Sequence, residues 1–194
     1  MRGTYSLCSD SLLGPFKPNS KDALTPFDWE CLDGTLYLDE KGVPYLVFCH
    51  EHTQIIDGTI CYVRLNENLD APEGEVTTLF CASSCEFAEA ADKDNHFVTD
   101  GPFMYRCTGG DLFMIWSSFI NKNYAEMVVK FKNGRLCTEF EHLKPLLDSD
   151  GGHGMIFKDK EKTYFAYHTP NKPGLEHPEF CLFSDDGNNI SIKK

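Results

Sequence analysis

A strand–turn–strand pattern occurs three times along the chain, and it limits the fold more than any other feature. Each copy opens with a polar residue beside a glycine, at Asp33, Asp100 and His153, and then enters a short apolar strand. A tight polar turn and a second, more apolar strand follow, as in PYLVFC, LFMIWSS and TYFAYH. Two apolar runs joined by a short acidic or Gly-rich turn indicate an antiparallel hairpin. The copies therefore predict three hairpins.

The spacing of the copies predicts a β-propeller. A third strand with a looser turn follows each hairpin, and no segment has sustained apolar periodicity of the helical kind. The copies lie roughly 50 to 70 residues apart, and repeats of this order with three or four short strands are typical of propeller blades. We therefore expect an all-β fold, with a single propeller domain over 1–194 and about three to four blades present.

The same pattern predicts the blade boundaries. Residues 1–28 match the tail of a blade, and blades are expected at about 29–80, 95–145 and 150–194. The chain is expected to begin in mid-blade and to stop after the third strand of its last blade. Because an open stack of blades leaves unpaired edges, this predicts either a missing upstream segment or self-association.

Charge and composition limit the partners. The formal net charge is −12 and 41% of the 194 residues are apolar, which fits a globular domain with a neutral ligand such as a sugar. Nucleic acid and anionic membranes are excluded, because both need a basic surface. The sequence contains no apolar run long enough to span a membrane and no signal-peptide core, which predicts a cytoplasmic location. Cys49, Cys61, Cys107 and Cys181 are expected to be small buried residues.

The motifs LDGTLYLDEKGVPYLVF, TDGPFMYRCTGGDLFMIWSS and GGHGMIF, in this order, resemble successive blades of glycoside hydrolase family 43. The resemblance covers nearly the whole chain. It implies a five-bladed β-propeller enzyme that removes α-L-arabinofuranosyl or β-D-xylosyl units from a carbohydrate with inversion. It also implies a longer N-terminus that carries the missing blade or blades. No cofactor is required, although a structural Ca²⁺ on the propeller axis is compatible with the family.

The residues near the start of the blades are the expected catalytic residues. Inverting hydrolysis needs one carboxylic acid that protonates the leaving oxygen and one carboxylate that activates water. Asp33 lies where the family has its pKa-tuning Asp, and a turn Asp bonded to its own backbone is the alternative. Asp100 lies where the family usually has the Glu of Glu-Gly-Pro, the general acid, and a turn Asp is again the alternative.

The shorter side chain of Asp100 makes Glu51 a second candidate for the proton donor. Glu51 follows a strand that returns to the hub of the propeller, and a solvated loop residue is its alternative. Glu86 is a weaker candidate. The catalytic base has no candidate, because in the family it opens a blade that this chain lacks.

Further residues are expected to bind the sugar. His153 matches the family's axial His, so the resemblance implies substrate binding and contact with a central cation for it. His50, His168 and Trp116 are expected to line the pocket, and Trp29 is a candidate sugar platform. Core packing is the alternative for His153 and Trp116.

Two other functions stay open at this point. A non-catalytic sugar-binding propeller, or an inactive fragment of an enzyme, would keep the pocket without turnover. A metal protein would use Cys49, His50, His52, Cys81 and Cys85, but their spacing matches no recognised zinc motif.

Overall fold

The computed structural model describes residues 1–193, which form three four-stranded antiparallel sheets and a small N-terminal hairpin. The hairpin pairs β1 (Leu7–Cys8) with β2 (Lys17–Pro18). The strands of the first sheet are β3 (Cys31–Leu38), β4 (Pro44–His50), β5 (Thr59–Arg64) and β6 (Thr77–Cys81). Those of the second sheet are β7 (Asp100–Arg106), β8 (Leu112–Ile120), β9 (Asn123–Phe131) and β10 (Phe140–Leu147). Those of the third sheet are β11 (Gly152–Asp159), β12 (Lys162–Thr169), β13 (His177–Asp185) and β14 (Ile190–Lys193).

Helical structure is confined to short pieces between the strands. They are α1 (His52–Ile55) and the 3₁₀ turns Ala82–Ser84 and Lys132–Gly134. Among residues 1–193, no helix reaches the length and apolarity that crossing a membrane requires. Each sheet is a simple meander in which neighbouring strands are also neighbours in sequence. The all-β prediction with propeller blades is confirmed.

The prediction that the chain stops after the third strand of its last blade is wrong. Residues Ile190–Lys193 form a fourth strand, which pairs antiparallel with β13. This strand has only four residues and follows the polar turn DDGNN, so no apolar run marks it in the sequence.

Apolar faces of successive sheets pack against one another and make the core. Side chains from both sheets fill the layer between the first and second sheets, including Val47, Ile60, Met114, Trp116 and Met127. The layer between the second and third sheets is filled in the same way by Phe113, Ile115, Val128, Ile156 and Phe165. Leu24 and Trp29 of the N-terminal segment pack on the other face of the first sheet. Alternation along the strands produces these two-sided sheets.

The outer face of the third sheet has no such cover in the described part of the chain. Met155, Phe157, Phe180 and Leu182 alternate with core residues, so they lie on the face that points away from the second sheet. They are 39–58% exposed. A row of this kind is an exposed apolar patch, which soluble proteins usually bury in an interface.

The cysteine prediction holds for three of the four named residues. Cys49, Cys61 and Cys107 are buried, whereas Cys181 on β13 is only partly buried. Cys49 and Cys61 lie on the two central strands of the first sheet and Cys107 directly follows β7, while Cys181 lies on β13 of the sheet with an exposed face.

The first strand of each sheet lies at the sheet edge, and β7 contacts both β3 and β11. Each of these strands has a bulge with one extra residue, at 32–35, 100–103 and 152–155. We call the region of the three bulges the hub. Bulges re-aim side chains and often lie next to functional sites.

The bulges show that the two Asp-Gly pairs are not structurally equivalent. The residue with positive φ in each bulge is Asp33 (56°), Gly101 (52°) and His153 (54°). Asp100 therefore comes one position before the counterpart of Asp33, and the repeat assumed from the sequence is shifted by one residue. The reason is backbone conformation, because glycine adopts positive φ freely whereas Asp and His do so at a cost.

Candidate active site

Three sheets contribute side chains to one site at the hub. The Gly101 N–H donates a hydrogen bond to Asp33 Oδ2 at 3.1 Å, so Asp33 lies beside the residue that follows Asp100. His153 Nε2 lies 3.8 Å from Asp33 Oδ1. A Cβ on Gly101 would lie 2.8 Å from the His153 ring, so a larger residue at this position would displace the imidazole. The structure therefore brings together the three residues that the sequence motifs single out.

Asp100 is held from the side by Tyr124. The Tyr124 hydroxyl donates to Asp100 Oδ2 at 2.8 Å. Burial raises the pKa of Asp100 above its ordinary value, and the negative charge of Asp33 raises it further, while the hydrogen bond from Tyr124 lowers it. The net shift is upward. Neighbouring carboxyls in a partly desolvated site behave in this way, because two negative charges repel and one group holds its proton longer.

Glu51 is a second acid near this site, and it is buried instead of lying in a solvated loop. Only 5% of its side chain is exposed, and its Oε2 lies 3.3 Å from Arg2 Nη2. Its Oε1 finds no hydrogen-bond partner within residues 1–193. Burial raises the pKa of Glu51 to about 7, Asp100 contributes in the same direction, and Arg2 acts against it. A carboxyl with this pKa is partly protonated near neutral pH.

His168 lies beside His153 at the third-sheet side of the site. The two ring centroids are 6.4 Å apart. His168 stacks on Tyr124 with centroids 5.3 Å apart, and its Nε2 lies 3.2 Å from Asn171 Oδ1. His168 therefore connects the ring that holds Asp100 with the exposed His153.

An open cleft of about 310 Å³ adjoins these histidines. His153 and His168 line one part of it, and Met155, Tyr167 and Pro178 line much of the rest. Aromatic and apolar walls with a few polar groups are typical of small-ligand sites.

His50 and Trp29 lie together at the first-sheet side. Their rings are stacked, with centroids 4.1 Å apart and planes 11° apart. His50 is buried, and its Nε2 lies 2.7 Å from Gln54 Oε1. One face of Trp29 is thus occupied by His50.

Trp116 does not lie in the site. It is completely buried between the first and second sheets, where its ring packs on Phe80 with centroids 5.1 Å apart. The prediction that Trp116 contacts sugar is contradicted by this burial, since a substrate cannot reach the ring. The alternation along β8 turns Trp116 into the core, away from the side that carries Ser117.

The weakest of the predicted acids, Glu86, is exposed on the segment between the first and second sheets. No described contact links it to Asp33 or Asp100.

Sequence reasoning missed Glu126, the most deeply buried acid at the hub. It is fully buried on β9, where its Oε2 accepts hydrogen bonds from the Ser117 hydroxyl at 2.8 Å and the Gly154 N–H at 3.1 Å. Burial raises its pKa to about 8, and these hydrogen bonds act against the shift. The sequence signal that could have found Glu126 is its position as the one acidic residue inside the apolar run AEMVVKF. An acid buried in such a strand is rare without a partner, so its position indicates a polar contact.

The residues present do not make a metal site by themselves. Within residues 1–193, no group of three or more His, Cys, Asp or Glu side chains is arranged to hold a metal ion. Ca²⁺ takes six to eight oxygen ligands, and His153 offers one imidazole. The contact between His153 and a central cation therefore stays a prediction.

The fold and the hub together define a propeller in which the first strands of two neighbouring blades bring Asp33 and the Asp100–Gly101 pair together. A family model described as glycosyl hydrolases family 43 matches residues 1–184, and the chain belongs to that family. A comparison with curated proteins found no match.

The solved structures similar to this chain include those of the following three proteins. An endo-arabinase from Bacteroides thetaiotaomicron shares 40% sequence identity at a TM-score of 0.86, with 92% of this chain and 64% of that chain covered. An endo-1,4-β-xylanase from the same organism shares 20% identity at a TM-score of 0.74, with 96% and 65% covered. An α-L-arabinofuranosidase from Lactobacillus brevis shares 18% identity at a TM-score of 0.72, with 92% and 60% covered. The similarities to the xylanase and the arabinofuranosidase, at 20% and 18% identity, show the fold alone. The chain spans less than two thirds of each of these proteins.

Proposed function

We propose that this chain carries part of the active site of a glycoside hydrolase that cleaves O-glycosyl bonds by inversion. The expected substrates are α-L-arabinofuranosyl or β-D-xylosyl units of plant-type polysaccharides or oligosaccharides. Membership of family 43 supports this proposal, as does the similarity to a structure described as an endo-arabinase. The observation that carries it is the cluster of Asp33, Asp100 and His153 at the hub.

The carboxyls have different proposed roles. Asp33 tunes and orients the acid, because its charge raises the pKa of Asp100. Asp100 is the first candidate for the proton donor, since it lies at the hub beside Asp33 and has a raised pKa. Glu51 is the second, supported by its pKa of about 7 and its unpaired Oε1 within the described residues. The residue that activates water has no candidate among residues 1–193.

Substitution of each acid separates these roles. Asp33→Asn should lower turnover of aryl α-L-arabinofuranosides or β-D-xylosides by about 100-fold or more while leaving the melting temperature nearly unchanged. Loss of the proton donor should matter less for dinitrophenyl glycosides, whose leaving group needs no proton, than for alkyl glycosides or oligosaccharides. We therefore expect Asp100→Asn to show this leaving-group dependence.

Glu51→Gln is the matched control for that assignment. If Glu51→Gln shows the leaving-group dependence and Asp100→Asn does not, the proton donor is Glu51. Wild-type rates in both Asp33→Asn and Asp100→Asn would overturn the site. The anomeric configuration of the first product, followed by NMR, tests inversion.

A second candidate function is sugar binding alone, which the open cleft of about 310 Å³ beside His153 and His168 would support. The chain would then bind sugar at the hub without hydrolysing it. Titration of the chain with arabino- and xylo-oligosaccharides distinguishes the two functions, because a binder without turnover gives heat or NMR shifts but no product.

A further inference from the structure

A row of three polar residues crosses the second sheet under the active site. Asp100 on β7 pairs with Ser117 on β8, and Ser117 pairs with Glu126 on β9. Residues that face each other across antiparallel strands point to the same side of the sheet. Ser117 and Glu126 are completely buried on the side that packs against the third sheet.

The buried part of this row binds the bulge of the third sheet through its backbone. The His153 N–H donates to Ser117 Oγ at 2.6 Å, and the Gly154 N–H donates to Glu126 Oε2 at 3.1 Å. The Ser117 hydroxyl donates to the same Glu126 oxygen at 2.8 Å. One carboxyl oxygen therefore anchors two backbone N–H groups of the bulge, that of Gly154 directly and that of His153 through Ser117.

The bulge needs such an anchor. His153 has a φ of 54°, a conformation that costs a non-glycine residue free energy, and it lies on an edge strand where the bulge interrupts the pairing with β12. There is no room for the segment to shift toward its neighbours. A Cβ on Gly152 would lie 2.7 Å from Ser117 Oγ, and one on Gly154 would overlap the Phe165 ring.

We propose that Glu126 is a positioning residue of the active site, which holds the His153 imidazole beside Asp33 by fixing the backbone of the 152–155 bulge. Glu126 touches no substrate itself. Its acceptor oxygen, and not its charge, is the feature that matters. The role of His153 toward a sugar rests on the proposed function, whereas the anchor is a property of the fold.

Glu126→Gln and Glu126→Leu test the proposal as a matched pair. Gln keeps an acceptor oxygen for Ser117 and Gly154, and Leu removes it at similar volume. The readouts are amide hydrogen exchange at Gly154 and the ¹H–¹⁵N resonances of the His153 imidazole. We expect Glu126→Gln to keep both as in the wild type. Glu126→Leu should speed exchange at Gly154 by about tenfold or more and move or broaden the His153 resonances.

Neither readout needs a substrate, so a failure of the proposed hydrolysis leaves the anchor test intact. Unchanged exchange and imidazole resonances in Glu126→Leu would overturn the proposal. Equally large changes of both readouts in Glu126→Gln would also overturn the proposal, because an acceptor oxygen at this position would then not be sufficient to fix the bulge.

If Glu126→Leu does not fold, Ser117→Ala replaces it. That variant removes the only link from Glu126 to the His153 N–H among the described residues and leaves the Gly154 bond in place. Exchange at His153 should then increase by about tenfold while Gly154 keeps its protection. Unchanged exchange at His153 in Ser117→Ala would count against the anchor.

Discussion

Individual carboxyl groups set the electrostatics of the hub, and the pKa of Glu126 lies far above that of an ordinary acid. Glu126 has no cation beside it among the described residues, and two hydrogen bonds only partly offset its burial. A neutral carboxylic acid is less costly to bury than a carboxylate. The group is therefore mainly protonated at neutral pH, which is why an amide is the closest substitute.

The pKa of Glu126 predicts a loss of stability as the pH rises. The folded pKa is about 8 and the ordinary value is 4.5, so between these pH values the folded state holds a proton that the unfolded state has released. Raising the pH through this range favours unfolding by about 2–4 kcal/mol from this group. Below pH 4.5 the group is protonated in both states, so it adds nothing to the pH dependence of the free energy of unfolding.

Urea unfolding at several pH values between 5 and about 8.5 checks this prediction. Glu126→Gln cannot titrate, so the free energy of unfolding of that variant should fall less across the range than that of the wild type. Parallel curves for the two proteins would show that Glu126 keeps an ordinary pKa.

The burial of Trp116 leads to a second residue-level prediction. Its Nε1 has no hydrogen-bond partner in the described part of the chain, so Phe removes packing but no hydrogen bond. We expect Trp116→Phe to lower the free energy of unfolding by about 1–3 kcal/mol while the affinity for arabino-oligosaccharides stays the same. Weaker sugar binding at unchanged stability would mean that the ring lies near the sugar after all.

At the scale of single strands, the bulges on β3, β7 and β11 decide which residues reach the site. Hairpins and strand order follow from alternating apolar residues and from turn residues, both of which the sequence displays. Bulges do not, because one extra residue on an edge strand leaves the apolar pattern nearly unchanged. The repeat was therefore recognisable, whereas the equivalence of Asp33 with Gly101 was not.

The same distinction explains which site residues could be predicted. Asp33, Asp100 and His153 stand in motifs with glycine, so a single sequence marks them. Trp116 resembles a sugar platform until the direction of its side chain is known. Glu126 lies within an apolar strand, and its partners, Ser117 on the neighbouring strand and Gly154 in the third sheet, follow only from strand register and sheet packing.

Gly101 offers a test of the bulge geometry. Gly101→Ala combines a positive φ with a contact of 2.8 Å between the new Cβ and the His153 ring, whereas Gly42→Ala has positive φ and no described atom within 4 Å. We expect Gly42→Ala to cost about 1 kcal/mol and Gly101→Ala clearly more. Thermal and urea unfolding measure the difference, and His153 resonances should move only in Gly101→Ala. Equal effects of both substitutions would argue against the close approach.

For the molecule as a whole, the stack of sheets ends in an apolar face. Met155, Phe157, Phe180 and Leu182 lie in two neighbouring rows on the third sheet and remain 39–58% exposed. Removing apolar surface from water is favourable in proportion to its area. We therefore expect this chain by itself to associate through that face.

Sedimentation velocity over a range of protein concentrations tests the association. Phe180→Lys places a charge in the centre of the face and should shift the chain toward monomer without lowering its melting temperature. Leu175→Lys, at an apolar residue that is 54% exposed in the turn before β13, is the control and should leave the association unchanged. A wild-type chain that is monomeric at all concentrations would contradict the prediction.

The described hydrogen bonds that join one sheet to the next at the hub run in one direction along the chain. The acceptor belongs to the earlier sheet and the donor to the bulge of the next, from Asp33 to Gly101 and from Glu126 to Gly154. A gene with the second and third blades exchanged would leave each acid facing the wrong amide. The centre of the propeller thus encodes the succession of its blades, and a chain with shuffled blades should fail to fold.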